Sequence, residues 1–312
     1  MLVAAIWGYN FVPARYGIAQ FPPLLFAALR FAVVAIPAVF FIKRPKVAWR
    51  SIVGVGMFMG VGQFGSLYVS MHNGMPAGLA SIVMQMQALW TVLFAVSFLG
   101  EHLQSRHVLG MVVAFSGLGV IAANRAAATP WSALGLCIFA SVCWACSNIT
   151  TRKARSIEPF ALIIWASAVA PVPLLGLSFL VDGGAKISAS FQHVSLKAVY
   201  GVVFAGFIGT IGAYGLWSKL LASRPASEVA PYSLLVPFFG ISSAWLFLKE
   251  RPATAELIGA AVMILGVAIV SGLRFRSRIF PGDSRFGHTS LTIKDPNDPN
   301  DLDASLAYAP AD

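Results

Sequence analysis

The chain has 312 residues, of which 58% are hydrophobic and 11% are charged. Soluble domains usually carry about 25% charged residues, so this composition excludes an ordinary soluble domain and predicts an integral membrane protein. The formal net charge is +10. Long apolar runs separate the basic residues, which therefore predict membrane-flanking loops and no nucleic-acid partner.

Apolar runs long enough to cross about 30 Å of hydrocarbon predict an all-α protein with ten transmembrane helices. The runs cover roughly residues 1–17, 23–42, 51–72, 76–99, 106–123, 131–150, 159–181, 197–221, 226–247 and 255–273. The sequence then turns polar and acidic, which predicts a disordered tail at residues 276–312. Alternate loops hold thirteen and six Lys and Arg residues, and the positive-inside rule therefore places both termini in the cytoplasm.

Arg30 lies inside the second apolar run, about 10 Å along a helix from Pro23. No Asp or Glu lies within a comparable run. A cation at this depth without a counter-charge is costly and is a functional-site hypothesis by default, so a negatively charged ligand is one interpretation. The alternative is a structural role, in which the guanidinium reaches the membrane surface or binds backbone carbonyls.

The two halves of the chain, residues 1–125 and 131–275, resemble each other. Shifts of 149 and of 136 or 137 residues pair Pro76 with Pro225, Glu101 with Glu250, Gly110 with Gly259, Gly117 with Gly266, Trp7 with Trp144 and Pro23 with Pro159. Each half contains five predicted helices, and an odd number of crossings turns the second copy upside down. Two inverted repeats with a site between them are typical of secondary transporters.

Five stretches resemble a known family: Trp7-Gly-Tyr-Asn-Phe11, Pro22-Pro23 through Arg30-Phe31, Gly74 to Ser81 with Gln85 and Gln87, Trp144-Ala-Cys146 with Asn148, and Val229 to Pro237. They are similar to the EamA-type permeases of the drug/metabolite transporter superfamily, and within it to exporters of cysteine and O-acetylserine. The resemblance implies two inverted five-helix repeats and export of small amino-acid metabolites across the bacterial inner membrane. The acidic tail departs from the family pattern.

Amide side chains inside the predicted spans are candidate ligands for such a substrate. Asn10 shares a helix face with Trp7, and Asn148 shares one with Trp144. Buried amides need partners, so each pair either lines a cavity or bonds to another helix. Gln85 and Gln63 are further candidate ligands, whereas Gln87 points away and is expected to bond to a neighbouring helix.

The second half offers mainly aromatic candidates, namely Tyr214 and Trp217 on one face of the eighth predicted helix, with Thr210, and Tyr232 in the ninth. Under the shifts above, Arg30 pairs with Ala166, Gln63 with Gly212 and Gln85 with Leu234. The polar set therefore belongs to the first half, as an asymmetric substrate would require. Trp217 and Tyr68, which the shift of 149 residues pairs with each other, have an alternative interpretation as members of an interfacial aromatic belt.

Two other functions compete with metabolite export. Efflux of hydrophobic drugs would use the same aromatic residues, although Arg30 would repel lipophilic cations. An enzyme would need clustered catalytic groups, but the five histidines are scattered without metal-ligand spacing, so we expect no enzyme, metal or cofactor. Since no carboxylate lies within a span, proton antiport through a loop carboxylate, exchange and facilitated diffusion all stay open.

Overall fold

The computed structural model describes residues 1–100, 102, 105–125, 129–223, 233 and 235–270, and within these residues the chain is helical and contains no strand. Residues 1–274 form one compact unit. Two elements of the sequence analysis, the tail at 276–312 and Tyr232, lie outside the described residues.

Ten helical stretches occur in this part of the chain, which confirms the predicted all-helical architecture. They are α1 (Leu2–Tyr9 and Phe11–Gln20), α2 (Pro23–Phe41), α3 (Trp49–His72), α4 (Ala77–Leu99), α5 (Ser105–Arg125), α6 (Trp131–Ala154), α7 (Pro159–Ser190), α8 (Leu196–Val203, Phe204–Gly212 and Ala213–Ser223), α9 (Val236–Leu248) and α10 (Thr254–Val270). Six of them, α2, α3, α4, α6, α7 and α8, are long and apolar enough to cross a membrane.

Helix α7 extends further than the sequence pattern predicts. The predicted span ends at residue 181, yet helical structure continues to Ser190 across a break at Gly183, whose φ is 79°. Glycine adopts this left-handed conformation without a steric penalty. Beyond the break, Lys186 donates a hydrogen bond of 3.1 Å to Asp182, one turn earlier. A local ion pair therefore supports helix in a stretch that composition alone assigns to a loop.

The two halves of the chain pack against each other along most of their helices. Helix α1 contacts α8 and α9, α2 and α3 contact α7, α3 and α4 contact α6, and α5 contacts α10. A Cβ atom placed on Gly110 would lie 2.6 Å from the Gly266 carbonyl oxygen, and one on Gly117 would lie 2.6 Å from that of Gly259. Because the later residue of α5 meets the earlier residue of α10, these helices are antiparallel. Glycines permit this close backbone approach.

Two segments of nine residues are π-helical, Met57–Gly65 in α3 and Phe204–Gly212 in α8. The π-helix is rare and is frequent at functional sites. Both segments lie against another helix at a glycine. A Cβ atom on Gly206 would lie 2.9 Å from the Arg30 carbonyl oxygen of α2, and one on Gly56, next to the α3 segment, would collide with the Ala166 carbonyl of α7. A π-helical segment thus lies at, or directly after, the glycine where α8 approaches α2 and the glycine where α3 approaches α7.

A carboxylate joins the two halves at one end of the bundle. Glu250 follows α9, and its Oε1 and Oε2 atoms accept hydrogen bonds of 3.1 and 3.0 Å from the backbone amides of Ala77 and Gly78. These amides open α4 and lack partners within the helix. The negative charge also complements the positive end of the helix dipole. The contact therefore fixes the start of α4, whose next turns carry Ser81 and Gln85.

Candidate functional site

A cavity of about 60 Å³ lies where α1, α2, α3, α4, α6, α8 and α9 meet. Seven of the ten residues selected from the sequence line it: Trp7, Asn10, Arg30, Gln63, Gln85, Trp144 and Tyr214. Further lining is contributed by Phe11, Ala14, Phe64, Leu67, Tyr68, Ser81, Met84, Gly209 and Val236. Side chains that lie far apart in the sequence thus surround one small space, and both halves of the chain contribute.

Arg30 is the cationic member of this lining, and its side chain is 1% exposed. Nη1 donates to the Tyr68 hydroxyl, while Nη2 donates to the Ala205 carbonyl and the Thr210 hydroxyl, each at 3.0 Å. Burial excludes the expectation that the guanidinium reaches the membrane surface. The structural alternative also predicts a bond to a backbone carbonyl, and Arg30 makes one, to Ala205. Arg30 nevertheless lines the cavity.

The charge of this guanidinium meets neutral groups in the described structure. Its three hydrogen-bond partners are two hydroxyls and a carbonyl, and its Cζ atom lies 4.0 Å from the centre of the Phe64 ring. Of the five N–H donors of an arginine, the one on Nε has no partner in the described part of the chain. Aromatic faces and dipoles attract a cation, but they do not cancel its charge. The site therefore retains a positive charge and a free donor for an anionic group.

The π-helix of α8 supplies the acceptors that hold this wall together. Ala205 accepts from Arg30 and also from the Thr210 hydroxyl, at 3.2 Å, while Gly209 accepts from the Trp7 indole Nε1 at 3.4 Å. In a π-helix, backbone bonding shifts to the fifth residue and the turns widen, which gives side chains from other helices access to carbonyls. Residues of α1 and α2 thereby bind the second half of the chain.

Aromatic rings close one side of the cavity. The Trp7 indole contacts Tyr214 edge-on, with ring centres 5.2 Å apart, and Trp217 at 5.4 Å. Tyr214 faces the cavity, whereas Trp217 supports the indole through this contact. Such ring pairs stabilise beyond the area that they bury, so they hold the indole in place.

Two acceptor atoms of the lining, Oδ1 of Asn10 and Oε1 of Gln63, have no hydrogen-bond partner among the described residues. Gln63 is 3% exposed and belongs to the π-helix of α3. A buried amide oxygen without a donor is costly, so a ligand that offers N–H groups would be stabilised. The cavity thus presents a cation and unsatisfied acceptors to a ligand of a few atoms.

A model of the EamA-like transporter family matches residues 1–123 and 131–272. The chain belongs to this family. It is 36% identical over 289 residues to the "Probable amino-acid metabolite efflux pump" of Escherichia coli (strain K12), an alignment that covers 90% of this chain and 97% of that protein. The family predicted from the sequence motifs is therefore confirmed.

More distant relatives align over similar lengths. This EamA-like transporter is 24% identical to the "Probable terminal-alkyne amino-acid exporter" of Streptantibioticus cattleyicolor, over 87% of this chain and 91% of that one. A chain in a solved crystal structure aligns with a TM-score of 0.56 at 22% identity, over 88% of this chain and 98% of that chain. The structural likeness shows a shared fold.

Asn148 lies outside the cavity lining of this EamA-like transporter. Its Nδ2 atom donates to Gln87 Oε1 at 2.8 Å and to Thr91 Oγ1 at 3.1 Å. Of the two alternatives for this amide, the structure shows the bond between helices, here between α6 and α4. The bond from Asn148 to Gln87 also confirms the expectation that Gln87 bonds to a neighbouring helix.

Two features of the site were not recognised in the sequence. Tyr68 is 1% exposed and binds Arg30, so its interpretation as part of an interfacial belt is wrong. A lone arginine in an apolar run predicts buried hydroxyls on neighbouring helices, because the charged side chain needs hydrogen-bond acceptors. The acceptor role of Ala205 carries no signal in the sequence, since it depends on a backbone atom.

Proposed function

We propose that this EamA-like transporter exports small amino-acid metabolites, such as cysteine and O-acetylserine, across the bacterial inner membrane by alternating access. The proposal depends chiefly on one observation, the buried Arg30 in a cavity where its described partners are neutral. A substrate carboxylate would supply the missing charge, because guanidinium and carboxylate form strong charge-assisted hydrogen bonds. The names of the relatives from Escherichia coli and Streptantibioticus support the same substrate class.

The remaining cavity groups suit the other end of an amino acid. The free oxygens of Asn10 and Gln63 can accept N–H donors, and the indoles of Trp7 and Trp144 line the same space and can attract an ammonium group through their faces. A cavity of about 60 Å³ holds roughly four to six water-sized groups at about 10–15 Å³ each. This size favours amino acids with short side chains over large hydrophobic drugs.

Alternating access is supported by the packing of α5 on α10. A shift of 149 residues pairs Gly110 with Gly259 and Gly117 with Gly266. The observed contacts are Gly110 with Gly266 and Gly117 with Gly259. If each glycine is replaced by its counterpart in the other half, the first contact becomes the second. Two antiparallel helices related in this way fit a pseudo-two-fold axis in the membrane plane, as inverted repeats require. We therefore propose two inverted five-helix repeats. The excess of Lys and Arg in alternate loops supports both termini in the cytoplasm.

Counterflow in proteoliposomes tests the proposed function. Vesicles loaded with unlabelled O-acetylserine, cysteine, tryptophan or tetraphenylphosphonium are diluted into labelled O-acetylserine or labelled tetraphenylphosphonium. We expect uptake of label with the two small amino acids inside and little with tryptophan. Movement of tetraphenylphosphonium alone would overturn the proposal and favour drug efflux, the competing function.

A pair of variants tests the role of the charge. Arg30→Met removes the guanidinium and keeps an unbranched side chain, and we expect counterflow to fall about 100-fold or more. The Tyr68 hydroxyl, the Ala205 carbonyl and the Thr210 hydroxyl lose a donor in this variant, so the melting temperature should fall, and counterflow is compared per amount of folded, monodisperse protein. Arg155→Met, at the exposed end of α6, is the matched control. Equal transport by both variants would remove Arg30 from substrate recognition.

A further inference from the structure

A second cavity lies toward the C-terminal ends of α4 and α6, two of the helices that also line the central cavity. It has a volume of about 530 Å³, and one wall is apolar, formed by Val92, Ala95 and Val96 of α4. Its other described lining residues include His102, Arg106, His107 and Arg152. The cavity therefore combines an apolar surface with two arginines and two histidines, and we name it the basic groove.

We propose that the basic groove binds the phosphate headgroup of an anionic phospholipid, with an acyl chain lying along the apolar wall. Arg106 belongs to the first turn of α5 and Arg152 to the last turns of α6, so both stand at the ends of apolar helices, where lipid headgroups lie. Basic pockets between transmembrane helices recognise anionic headgroups. The planar guanidinium matches phosphate oxygens in a two-point contact.

The apolar wall distinguishes this ligand from a soluble anion. Free phosphate or a metabolite phosphate would use the arginines and gain nothing from Val92, Ala95 and Val96. An acyl chain would fill the space beside these side chains with hydrocarbon and gain van der Waals contacts that a soluble anion cannot make. The groove therefore fits a molecule that carries an anion and a hydrocarbon chain together.

The position of the groove connects it with the central cavity. Thr91 lines the groove and accepts a hydrogen bond from Asn148 at 3.1 Å, which joins α4 to α6. Trp144, one turn before Asn148, lines the central cavity. A lipid in the groove would thus contact the helix pair that forms one side of the transport site. We expect bound lipid to stabilise this pair.

The melting temperature of the purified full-length protein in detergent provides the test, with added phosphatidylglycerol, phosphatidylcholine or inorganic phosphate. We expect phosphatidylglycerol to raise the melting temperature more than either of the other two. In Arg106→Gln/Arg152→Gln the apparent affinity for phosphatidylglycerol should fall on the order of tenfold, because each arginine near a lipid surface contributes measurably. Lys153→Gln/Arg155→Gln removes the same charge outside the groove and should behave as wild type.

Four results would overturn the proposal. Equal stabilisation by phosphatidylcholine would mean that no anion is recognised, and equal stabilisation by inorganic phosphate would mean that a free anion is the ligand. An equal loss of apparent affinity for phosphatidylglycerol in both double variants would mean that general surface charge, and not the groove, attracts the lipid. If the glutamine variant does not fold, Arg106→Lys/Arg152→Lys should retain charge and lose part of the preference for phosphatidylglycerol; an unchanged preference would contradict recognition by guanidinium. Transport is not measured, so failure here is independent of the proposed substrate.

Discussion

Helix α2 places a backbone carbonyl against a glycine of the π-helical region in α8, and α7 does the same beside the π-helical region in α3. The two helices carry different side chains at these contacts. Next to Gly206 of α8 stands Arg30, and next to Gly56 of α3 stands Ala166, its counterpart under the shift of 136 residues. The close backbone approach is common to both places, so it belongs to the scaffold. The guanidinium occurs at one of them, where Ala205 and Thr210 accept its hydrogen bonds. The shared approach therefore belongs to helix packing, and the guanidinium is the feature to which we assign the proposed substrate recognition.

The largest effect is expected when a charge is introduced at the second place. Ala166 is fully buried, and its carbonyl lies against Gly56, so Ala166→Arg combines overpacking with a buried unpaired cation. Breaking buried charge pairing costs about 3–5 kcal/mol, and we expect this variant to lose its folded, monodisperse state in size-exclusion chromatography. Ala166→Leu adds volume without charge and is the control. A folded Ala166→Arg protein would show that α3 can accept a guanidinium as α8 does.

The shared close approach predicts similar sensitivity of the two glycines. Gly206→Ala and Gly56→Ala each place a methyl group against a carbonyl of another helix, and overpacking costs about 1–3 kcal/mol. Both variants should therefore melt roughly 2–12 °C lower, since about 1 kcal/mol shifts the melting temperature of chains of 150–250 residues by 2–4 °C. Gly176→Ala, where nothing lies within 4 Å, should be unchanged or more stable. Sensitivity at one glycine alone would disprove the equivalence of the two contacts.

The bond between Glu250 and the start of α4 is another contact between the two halves. Glu250→Gln retains one acceptor oxygen of two and removes the charge, which should cost about 1–3 kcal/mol and lower the melting temperature by several degrees. Asp182→Asn is the control, because that carboxylate pairs with Lys186 inside α7. Equal melting temperatures for Glu250→Gln and wild type would mean that the amides of Ala77 and Gly78 find other partners.

The sequence predicts the helices well because hydrophobic runs of membrane length have few alternatives to helix. It also predicts many cavity residues, since an amide or cation at lipid depth, such as Gln63 or Arg30, must face other polar groups or a ligand. It does not predict which groups they meet. The partners of Asn148 depend on how α4 and α6 are aligned, and the exposure of the Ala205 carbonyl depends on π-helical bonding. Neither property leaves a trace in residue type.

The smallest effect concerns the hydroxyl that distinguishes the two π-helical regions. Thr210 donates to Ala205 and accepts from Arg30, whereas its counterpart under the shift of 149 residues is Val61. Thr210→Val keeps the shape and removes both bonds, which should cost about 1–2 kcal/mol and reduce counterflow several-fold, because the guanidinium loses one of the groups that orient it. Val61→Thr is the reciprocal control and should leave counterflow unchanged. A Thr210→Val protein with unaltered counterflow but a lower melting temperature would assign this hydroxyl to stability alone, and the orientation of Arg30 to Tyr68 and Ala205.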